Sequence, residues 1–90
     1  MNYKFLATEI FWRKFYRLSA AQKLSTRLAW AIFKDDPFDY RLGAHEIHAL
    51  SGRAKHTIYS VTIEDDLRVV FRIDKNVVTT LDIGPHEIYR

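Results

Sequence analysis

The last eight residues of the chain bring together three side chains that can take part in acid–base and phosphate chemistry. Positions 83–90 read Ile-Gly-Pro-His-Glu-Ile-Tyr-Arg, so His86, Tyr89 and Arg90 follow closely on a Gly-Pro break. Histidine titrates near neutral pH, tyrosine can stack or donate a hydrogen bond, and arginine can hold a phosphate. The alternative is an ordinary polar tail after a strand, and the choice depends on the rest of the chain.

Two arginines earlier in the chain share the polar face of a predicted strand. Residues 67–73 are apolar at every odd position, which is the pattern of a half-buried strand that carries Arg68 and Arg72 on its other face. The helices predicted below are both needed to cover the apolar face, so we expect the other face to be open to solvent or to a ligand. The alternative for Arg68 is a surface ion pair with Glu64 or Asp82.

The polar face could bring Arg68 together with His48, His86 and Tyr89. Such a set suits phosphodiester transfer in RNA. In that reaction a base takes the proton of the ribose 2′-hydroxyl, an acid protonates the leaving 5′-oxygen, and a fixed cation stabilises the charge at phosphorus. The alternative for His48 is a histidine on a strand face without a role.

The sequence predicts no metal and no cofactor. Its histidines stand at positions 45, 48, 56 and 86, and His45 and His48 on one strand would point to opposite faces. There is no Gly-rich phosphate loop and no cysteine, which excludes a disulfide scaffold and a thiolate zinc site. No apolar run approaches the roughly 18 residues of a membrane span. These features predict a cytoplasmic protein without a membrane partner.

The charge is distributed unevenly along the chain. Residues 1–34 hold seven basic residues and one acid, a net charge of +6, whereas residues 35–90 hold seven basic and ten acidic residues, a net charge of −3. A basic front half favours an anionic partner, most commonly nucleic acid. The alternative is that these side chains only solvate helix faces. The candidate RNA-binding residues are Arg13, Lys14, Arg17, Lys23, Arg27, Arg53, Lys55 and Arg72.

The front half is expected to form a short strand and two antiparallel helices within a single domain, residues 1–90. The strand covers Tyr3–Ala7, and Thr8 caps the first helix. Ser19-Ala20-Ala21-Gln22 has the form of a capping box, and the second helix ends near Asp36-Pro37. The residues expected in the core are Phe11, Trp12, Phe15, Tyr16 and Leu18 of the first helix and Leu24, Leu28, Ala31 and Ile32 of the second.

The back half of the chain, from His45 onward, is predicted to form strands. A short strand covers His45–Leu50, the next covers Ile58–Ile63, and two tight turns then join it to runs that begin at Leu67 and Val77. In the last run Val77, Thr79, Leu81 and Ile83 are expected on the apolar face. The predicted fold is α+β in two layers, with the two helices on one face of a mainly antiparallel β-meander.

Several motifs in this order resemble the RelE/ParE superfamily of toxins from toxin–antitoxin pairs, over nearly all 90 residues. The basic helical front is followed by Asp36-Pro37-Phe38 and an H-x-L-x-G element that begins at His48. An R-h-h-[YF] element, where h is hydrophobic, begins at Arg68, and a G-x-H-x-x-Y element begins at Gly84. The histidines make the chain most similar to the YoeB and YafQ branches.

The resemblance implies a RelE-like fold and an mRNA endonuclease that cuts message in the ribosomal A site and is silenced by a cognate antitoxin. Arg68 would stabilise the scissile phosphate, His86 would be an acid or base, Tyr89 would orient or stack on the RNA, and His48 would be the second acid or base. We expect a segment of the antitoxin to cover this face. Alternative functions are a ParE-like gyrase inhibitor and a non-catalytic relative that only binds an antitoxin.

The general base stays open because the chain departs from the family pattern. RelE has lysines on the strand before the arginine, where this chain has Tyr59 and Ser60, and the catalytic glutamate of YoeB corresponds to Ala44. His45, Glu46 and His48 are therefore all candidates, together with His86 itself.

Overall fold

A computed structural model describes residues 3–47 and 56–85 and contains two α-helices and five strands in that part of the chain. The elements are β1 (Lys4–Ala7), α1 (Glu9–Tyr16), α2 (Ala20–Asp35), a 3₁₀ helix (Tyr40–Leu42), β2 (His45–Glu46), β3 (Thr57–Glu64), β4 (Leu67–Asp74) and β5 (Val77–Gly84). The strand order is β1-β5-β4-β3-β2, with β1 parallel to β5 and the other pairs antiparallel. The predicted α+β fold is confirmed.

Local capping sets the helix boundaries as the sequence predicts. The Thr8 hydroxyl accepts a hydrogen bond from the Phe11 amide, and the Ser19 hydroxyl and Gln22 carboxamide each accept a bond from the other residue's amide. α2 stops where Asp36 adopts an extended conformation before Pro37. Such caps satisfy amides that have no partner inside the helix, so both helices begin at fixed residues.

The main core lies between the helices and one face of the sheet. Phe11 and Phe15 of α1 and Phe33 of α2 pack with Val61, Val69 and Phe71, and the Phe33 and Phe71 rings meet edge to face at 4.9 Å. The predicted apolar faces of β3 and β4 are confirmed, because Tyr59, Val61 and Ile63 and the odd residues of 67–73 all belong to this core.

The predicted buried stripe of α2 is confirmed for Ile32, which packs against the core, and is wrong for Leu24, Leu28 and Ala31, which are exposed. Leu24 and Leu28 are 56% and 63% exposed, and the face that meets the sheet carries Thr26, Trp30 and Phe33 instead. Apolar residues occur on several faces of α2, so their periodicity allows more than one stripe. The packing of Phe33 against Phe5 and Phe71 is what orients the helix.

The burial of the second aromatic pair on α1 was also wrongly predicted. Trp12 is 45% exposed and Tyr16 is 66% exposed, and their rings stack on each other 6.0 Å apart, outside the main core. They lie one position after Phe11 and Phe15, and a helix turns about 100° between successive residues. The sheet therefore covers only the phenylalanines.

A β-bulge changes the predicted alternation of β5. Val70 lies opposite Asp82 and Phe71 lies opposite Thr80, which leaves Leu81 as an extra residue. Val78 and Ile83 consequently face the helices, whereas Leu81 contacts the opposite side of the sheet. The prediction that Val77, Thr79, Leu81 and Ile83 share the core face is wrong for that reason.

The sheet face away from the helices is not the open polar surface that the sequence predicts. Ile47, Ile58 and Val70 are buried in a second apolar cluster there, with Leu81 packed against them. The strand predicted at His45–Leu50 covers His45–Glu46 in the described part of the chain. Residues 48–50 lie outside the described residues.

Candidate active face

We call the sheet face away from the helices the active face, because Arg68 lies on it. Arg68 is the second residue of β4 and is partly buried, with Thr62 opposite on β3 and Gly84 opposite on β5. Gly84 has no side chain, so β5 places no side chain directly opposite Arg68. The predicted position of Arg68 on the face opposite Leu67 and Val69 is confirmed.

Backbone carbonyls of the β3–β4 turn hold the Arg68 guanidinium. Its Nη1 donates to the Glu64 oxygen at 2.9 Å and to the Asp65 oxygen at 3.2 Å. Within the described part of the chain Arg68 forms no ion pair, so the alternative of a pair with Glu64 or Asp82 is wrong. A guanidinium has five N–H donors. Those on Nε and Nη2 can bind a planar pair of phosphate oxygens while the positive charge stays fixed in position.

Arg72 lies on the same face but too far along β4 to share one phosphate with Arg68. At a rise of about 3.3 Å per residue, their Cα atoms are about 13 Å apart. Val70 lies between them, and Ile58 and Thr79 are the residues opposite Arg72. This separation is too long for both guanidinium groups to bind one phosphate, and the RNA-binding role of Arg72 stays a prediction.

The strand register places two candidates for the general base, His45 and Glu46, on opposite faces of the sheet. His45 is opposite Ser60, and Ser60 is opposite Val70, so His45 shares the active face. Glu46 is opposite Tyr59, a residue of the main core, and therefore faces the helix side. The His45 ring is exposed, with Nδ1 3.3 Å from the Gly43 oxygen. Of these two residues, His45 is the one that shares the active face with Arg68.

The floor beside His45 holds a polar atom without a partner. Ser60 is fully buried, and its Oγ makes no hydrogen bond within the described residues. A buried hydroxyl without a partner costs about 1–3 kcal/mol, so natural proteins retain few of them. The sequence offered no signal for this atom, because a serine in a strand usually bonds to solvent or backbone.

Several predicted site residues cannot be placed on this face. His48, His86 and Tyr89 of the proposed catalytic set, and Arg53 and Lys55 of the proposed RNA-binding set, lie outside the described residues. Gly84, two positions before His86 in the sequence, is opposite Arg68. The described residues contain no group of three His, Cys, Asp or Glu side chains that could hold a metal ion.

The basic side chains of the helices fall into two classes. Lys14 binds Asp82 of β5 through both carboxylate oxygens, at 2.8 and 3.1 Å, and Arg13 pairs with Glu9 at 3.0 Å. The other class lies close to aromatic rings of α1. Lys23 lies 6.0 Å from the Tyr16 ring and Arg27 lies 5.7 Å from the Phe15 ring, and Arg17 is exposed nearby in sequence.

A loop clamp that the sequence did not reveal follows α2. The Arg41 guanidinium donates from Nε and Nη2 to the two carboxylate oxygens of Asp39 at 3.0 and 2.9 Å. This side-chain hydrogen bonding holds the pKa of Asp39 at about 2. The Asp39 carboxylate also accepts a bond from the Arg41 amide, and Gly43 ends the 3₁₀ helix with a positive φ of 59°. The clamp fixes the loop that leads to His45.

Comparison with known proteins relies on structure. The sequence matches no protein-family model, and no curated protein matches it. A solved RelE–RelB complex from the archaeon Pyrococcus horikoshii contains a chain of similar fold, with a TM-score of 0.75 at 15% identity, over 98% of this chain and 99% of the other. The fold is that of RelE toxins.

Two further solved structures share this RelE-like fold. One is a copper-bound mutant toxin from Helicobacter pylori, with a TM-score of 0.64 at 17% identity, over 94% of this chain and 96% of the other. The second is the DinJ–YafQ complex from Escherichia coli, with a TM-score of 0.62 at 13% identity and 94% coverage of both chains. None of the described helices is long and apolar enough to cross a membrane.

Proposed function

We propose that this protein is the toxin of a toxin–antitoxin pair and acts as a ribosome-dependent mRNA endonuclease that inhibits translation in the cytoplasm. The observation that carries the proposal is the fixed Arg68 guanidinium on the active face, opposite Gly84. The RelE-like fold supports it, since two of the similar structures are complexes named RelE–RelB and DinJ–YafQ. A cognate antitoxin is accordingly the proposed protein partner, and no cofactor is needed.

The proposed reaction is an attack by the RNA on its own backbone. A base removes the proton of a 2′-hydroxyl, the 2′-oxygen forms a bond to phosphorus, and the bond from phosphorus to the 5′-oxygen breaks as that oxygen receives a proton. Arg68 stabilises the extra negative charge on the non-bridging oxygens, because its position is set before the substrate arrives. His86 supplies the proton or removes it, and Tyr89 stacks on or orients the RNA.

The second acid–base group is either His45 or His48. His45 lies on the active face with an exposed ring, whereas the family resemblance favours His48. Two antiparallel strand spacings and two residue steps separate His45 from Arg68, about 12 Å between Cα atoms. A histidine and an arginine at that separation can reach the same nucleotide from two sides. Replacing each histidine separately by alanine would show which one the rate depends on.

Dependence on the ribosome is expected because the described part of the active face consists largely of a buried apolar cluster and has few polar groups to hold RNA by itself. We expect the purified protein to cut mRNA on programmed ribosomes at least 100-fold faster than the same mRNA without ribosomes. Sequencing the 5′ ends of the products measures both rates. Cuts spaced in the reading frame would support the proposal, and equal rates with and without ribosomes would contradict it.

The same assay separates the alternative functions. A gyrase inhibitor would leave the message intact and produce DNA breaks after induction, and a non-catalytic relative would produce neither. A mock purification from cells that carry the empty vector provides the control for contaminating nucleases, since any cleavage in that sample belongs to another protein.

A further inference from the structure

The loop between α2 and β2 contacts the His45 ring through its backbone. The His45 Nδ1 lies 3.3 Å from the Gly43 carbonyl oxygen. A carbonyl oxygen can accept a hydrogen bond but cannot donate one, so this contact needs a proton on Nδ1. In a neutral imidazole one ring nitrogen carries the proton and the other has a free lone pair. The Gly43 carbonyl therefore selects the form of His45 in which Nε2 can accept a proton.

The direction of the Gly43 carbonyl is set by local backbone structure. Gly43 ends the 3₁₀ helix in the left-handed conformation, with φ 59° and ψ 41°, and its amide donates to the Tyr40 oxygen at 3.3 Å. The preceding residue, Leu42, is buried in the main core. Glycine adopts the left-handed conformation freely and asparagine tolerates it, whereas a branched Cβ is strongly disfavoured there. The residue type at position 43 thus controls where this carbonyl points.

The clamp between Asp39 and Arg41 holds the beginning of the same loop. The Arg41 guanidinium and amide donate three hydrogen bonds to the Asp39 carboxylate, at 2.9 to 3.0 Å. The Leu42 amide donates to the Asp39 carbonyl oxygen at 3.0 Å. Because both side chains of the clamp are partly exposed, the pair contributes little to the free energy of unfolding. Its effect is to restrict the loop on which the Gly43 carbonyl lies.

The contact with Gly43 tilts the His45 ring towards Arg68. His45 lies opposite Ser60 on β3. Gly43 lies beside Thr62, because a Cβ atom on Gly43 would be 3.8 Å from the Thr62 Oγ1. Thr62 is in turn opposite Arg68 on β4. A ring that bonds to the Gly43 oxygen therefore leans from its own row of the sheet towards the row that contains Arg68.

We propose that His45 is the general base of the cleavage reaction and that the Gly43 carbonyl sets the tautomer that leaves its Nε2 free. The proposal rests on the proposed function for the reaction itself. Nε2 takes the proton of the 2′-hydroxyl and the 2′-oxygen forms its bond to phosphorus. The bond from phosphorus to the 5′-oxygen breaks, and that oxygen receives a proton from the acid, which is then His86.

The Gly43 carbonyl also stabilises the charged ring that this step produces. The proton on Nδ1 stays in place while Nε2 is protonated, and a hydrogen bond from a charged donor is stronger than one from a neutral donor. Gly43, Asp39 and Arg41 are positioning residues in this assignment, because they act on the reaction through the His45 ring. His45 is the catalytic residue, since its Nε2 contacts the reacting hydroxyl.

Ser60 is an alternative partner for the His45 ring. Its hydroxyl lies on the residue directly opposite His45 and has no hydrogen bond within the described residues. A hydroxyl can donate as well as accept, so a bond to Ser60 would allow either tautomer. The His45 ring is exposed and already lies within reach of the Gly43 oxygen. The geometry therefore favours the carbonyl, and the two partners predict different responses to Ser60→Ala.

Nitrogen-15 NMR of the imidazole rings in the intact protein tests the tautomer without RNA. At about pH 9, where imidazole side chains are neutral, we expect the His45 proton on Nδ1, with the signals assigned by their loss in His45→Gln. Gly43→Asn should keep this tautomer, Gly43→Val should shift the ring towards the Nε2–H form, and Ser60→Ala should leave it unchanged. A wild-type ring that carries its proton mainly on Nε2, or a changed tautomer in Ser60→Ala, would overturn the proposal.

Thermal melts show whether each variant is folded. If Gly43→Val does not fold, Arg41→Gln takes its place in the NMR measurement, because loss of the clamp releases the loop without a change at Gly43. The same shift towards the Nε2–H form is expected. An unchanged tautomer in a folded variant of this kind would overturn the positioning role of the loop.

Single-turnover cleavage of mRNA on programmed ribosomes tests the base. We expect His45→Ala to lower the rate about 10²–10⁴-fold, as is usual for a general base. Arg41→Gln should lower it about 10-fold and change ribosome affinity less than about 3-fold, because the clamp acts through the position of the ring. Arg41→Lys should lose as much rate as Arg41→Gln, since lysine keeps the charge but lacks the planar pair of donors. A loss of ribosome affinity that Arg41→Lys restores would assign Arg41 to an RNA contact and overturn its positioning role.

The cleavage assay also separates this proposal from the proposed function. If the wild-type protein cuts mRNA and folded His45→Ala cuts it at the same rate, the base is another residue, such as His48. The proposal then fails while the nuclease function stands. If the wild-type protein cuts no mRNA on ribosomes, both fail, whichever tautomer the NMR spectra show.

Discussion

At the scale of single residues, the active face depends on how firmly Arg68 is held. A free arginine on a strand samples many rotamers, whereas two turn carbonyls restrict this one at 2.9 and 3.2 Å. A cation fixed before the substrate arrives does not have to reorganise as charge develops at phosphorus. The turn residues Glu64 and Asp65 thus contribute through their backbone, and their side chains can vary without loss of this contact.

Replacing Arg68 by alanine should remove activity and keep the fold. We expect the single-turnover rate of mRNA cleavage on ribosomes to fall about 10²–10³-fold, the usual loss for a group that stabilises transition-state charge. Stability should fall by about 1 kcal/mol or less, because the partly buried side chain leaves no core cavity. Arg68→Lys should recover only part of the rate, since lysine lacks the planar pair of donors. Near-normal cleavage by folded Arg68→Ala would contradict the catalytic role.

The terminal residues should behave as members of the same unit. His86→Ala is expected to lower the cleavage rate about 10²–10⁴-fold, as is usual for a general acid or base. Tyr89→Phe compared with Tyr89→Ala shows whether the hydroxyl or only the ring is needed. Effects of residues that serve one transition state are less than additive. A double variant of Arg68 and His86 that loses the full product of the two single effects would argue against a shared site.

At the scale of elements, α1 is attached to the bulged end of β5 by three contacts. The Thr8 amide and hydroxyl donate to Thr80 and Leu81 carbonyls, and Lys14 binds both oxygens of Asp82. The bulge at Leu81 redirects the strand just before Gly84. The helix thus holds in place the strand end from which the terminal motif continues, and Lys14 has this structural role in addition to any contact with RNA.

A double-mutant cycle on Lys14 and Asp82 measures this attachment. Because both side chains are partly exposed, we expect a coupling free energy of about 1 kcal/mol or less in urea unfolding. We expect kcat to fall more than ribosome binding in Lys14→Met, since a loosened strand end misplaces the reacting groups. The pair Arg13 and Glu9 on the exposed side of α1 is the matched control and should leave kcat unchanged. A loss confined to ribosome binding would show that Lys14 acts only as an RNA contact.

The helices and strands also show which structural features could be predicted from the sequence. Thr8, Ser19 and Pro37 fixed both helix boundaries correctly, because capping and proline effects act within a few residues. The buried face of α2 and the phase of β5 were not predictable in the same way. They depend on Phe33 meeting Phe71 and on one extra residue at Leu81, which are contacts between distant parts of the chain.

At the scale of the whole molecule, the two faces of the sheet carry different groups of residues. The helix side carries the basic side chains Arg17, Lys23 and Arg27, and the other side carries Arg68, Arg72 and His45. The motifs predicted this fold and placed Arg68 correctly on its strand. They did not predict that Trp12 and Tyr16 are exposed, because aromatic residues at helical spacing usually belong to the core and only the position of the sheet exposes these two.

The basic side chains Arg17, Lys23 and Arg27 on the helices should anchor the protein to ribosomal RNA through their positive charge. Replacing Arg17, Lys23 and Arg27 by glutamine removes three cations that have no carboxylate partner in the described part of the chain. Each phosphate contact contributes about 0.7 to the slope of log affinity against log salt for single-stranded nucleic acid, so the slope should fall by about 2.

The control for this triple variant removes the same charge elsewhere. Glutamine at Lys4, Lys34 and Lys75 removes three exposed cations that lie away from the helical surface around Tyr16, and the salt slope should stay near the wild-type value. Ribosome binding measured by sedimentation at several salt concentrations decides between the two. If both variants lower the slope equally, the cations act through net charge alone. An unchanged slope in the helical variant would mean that Arg17, Lys23 and Arg27 only solvate their helices.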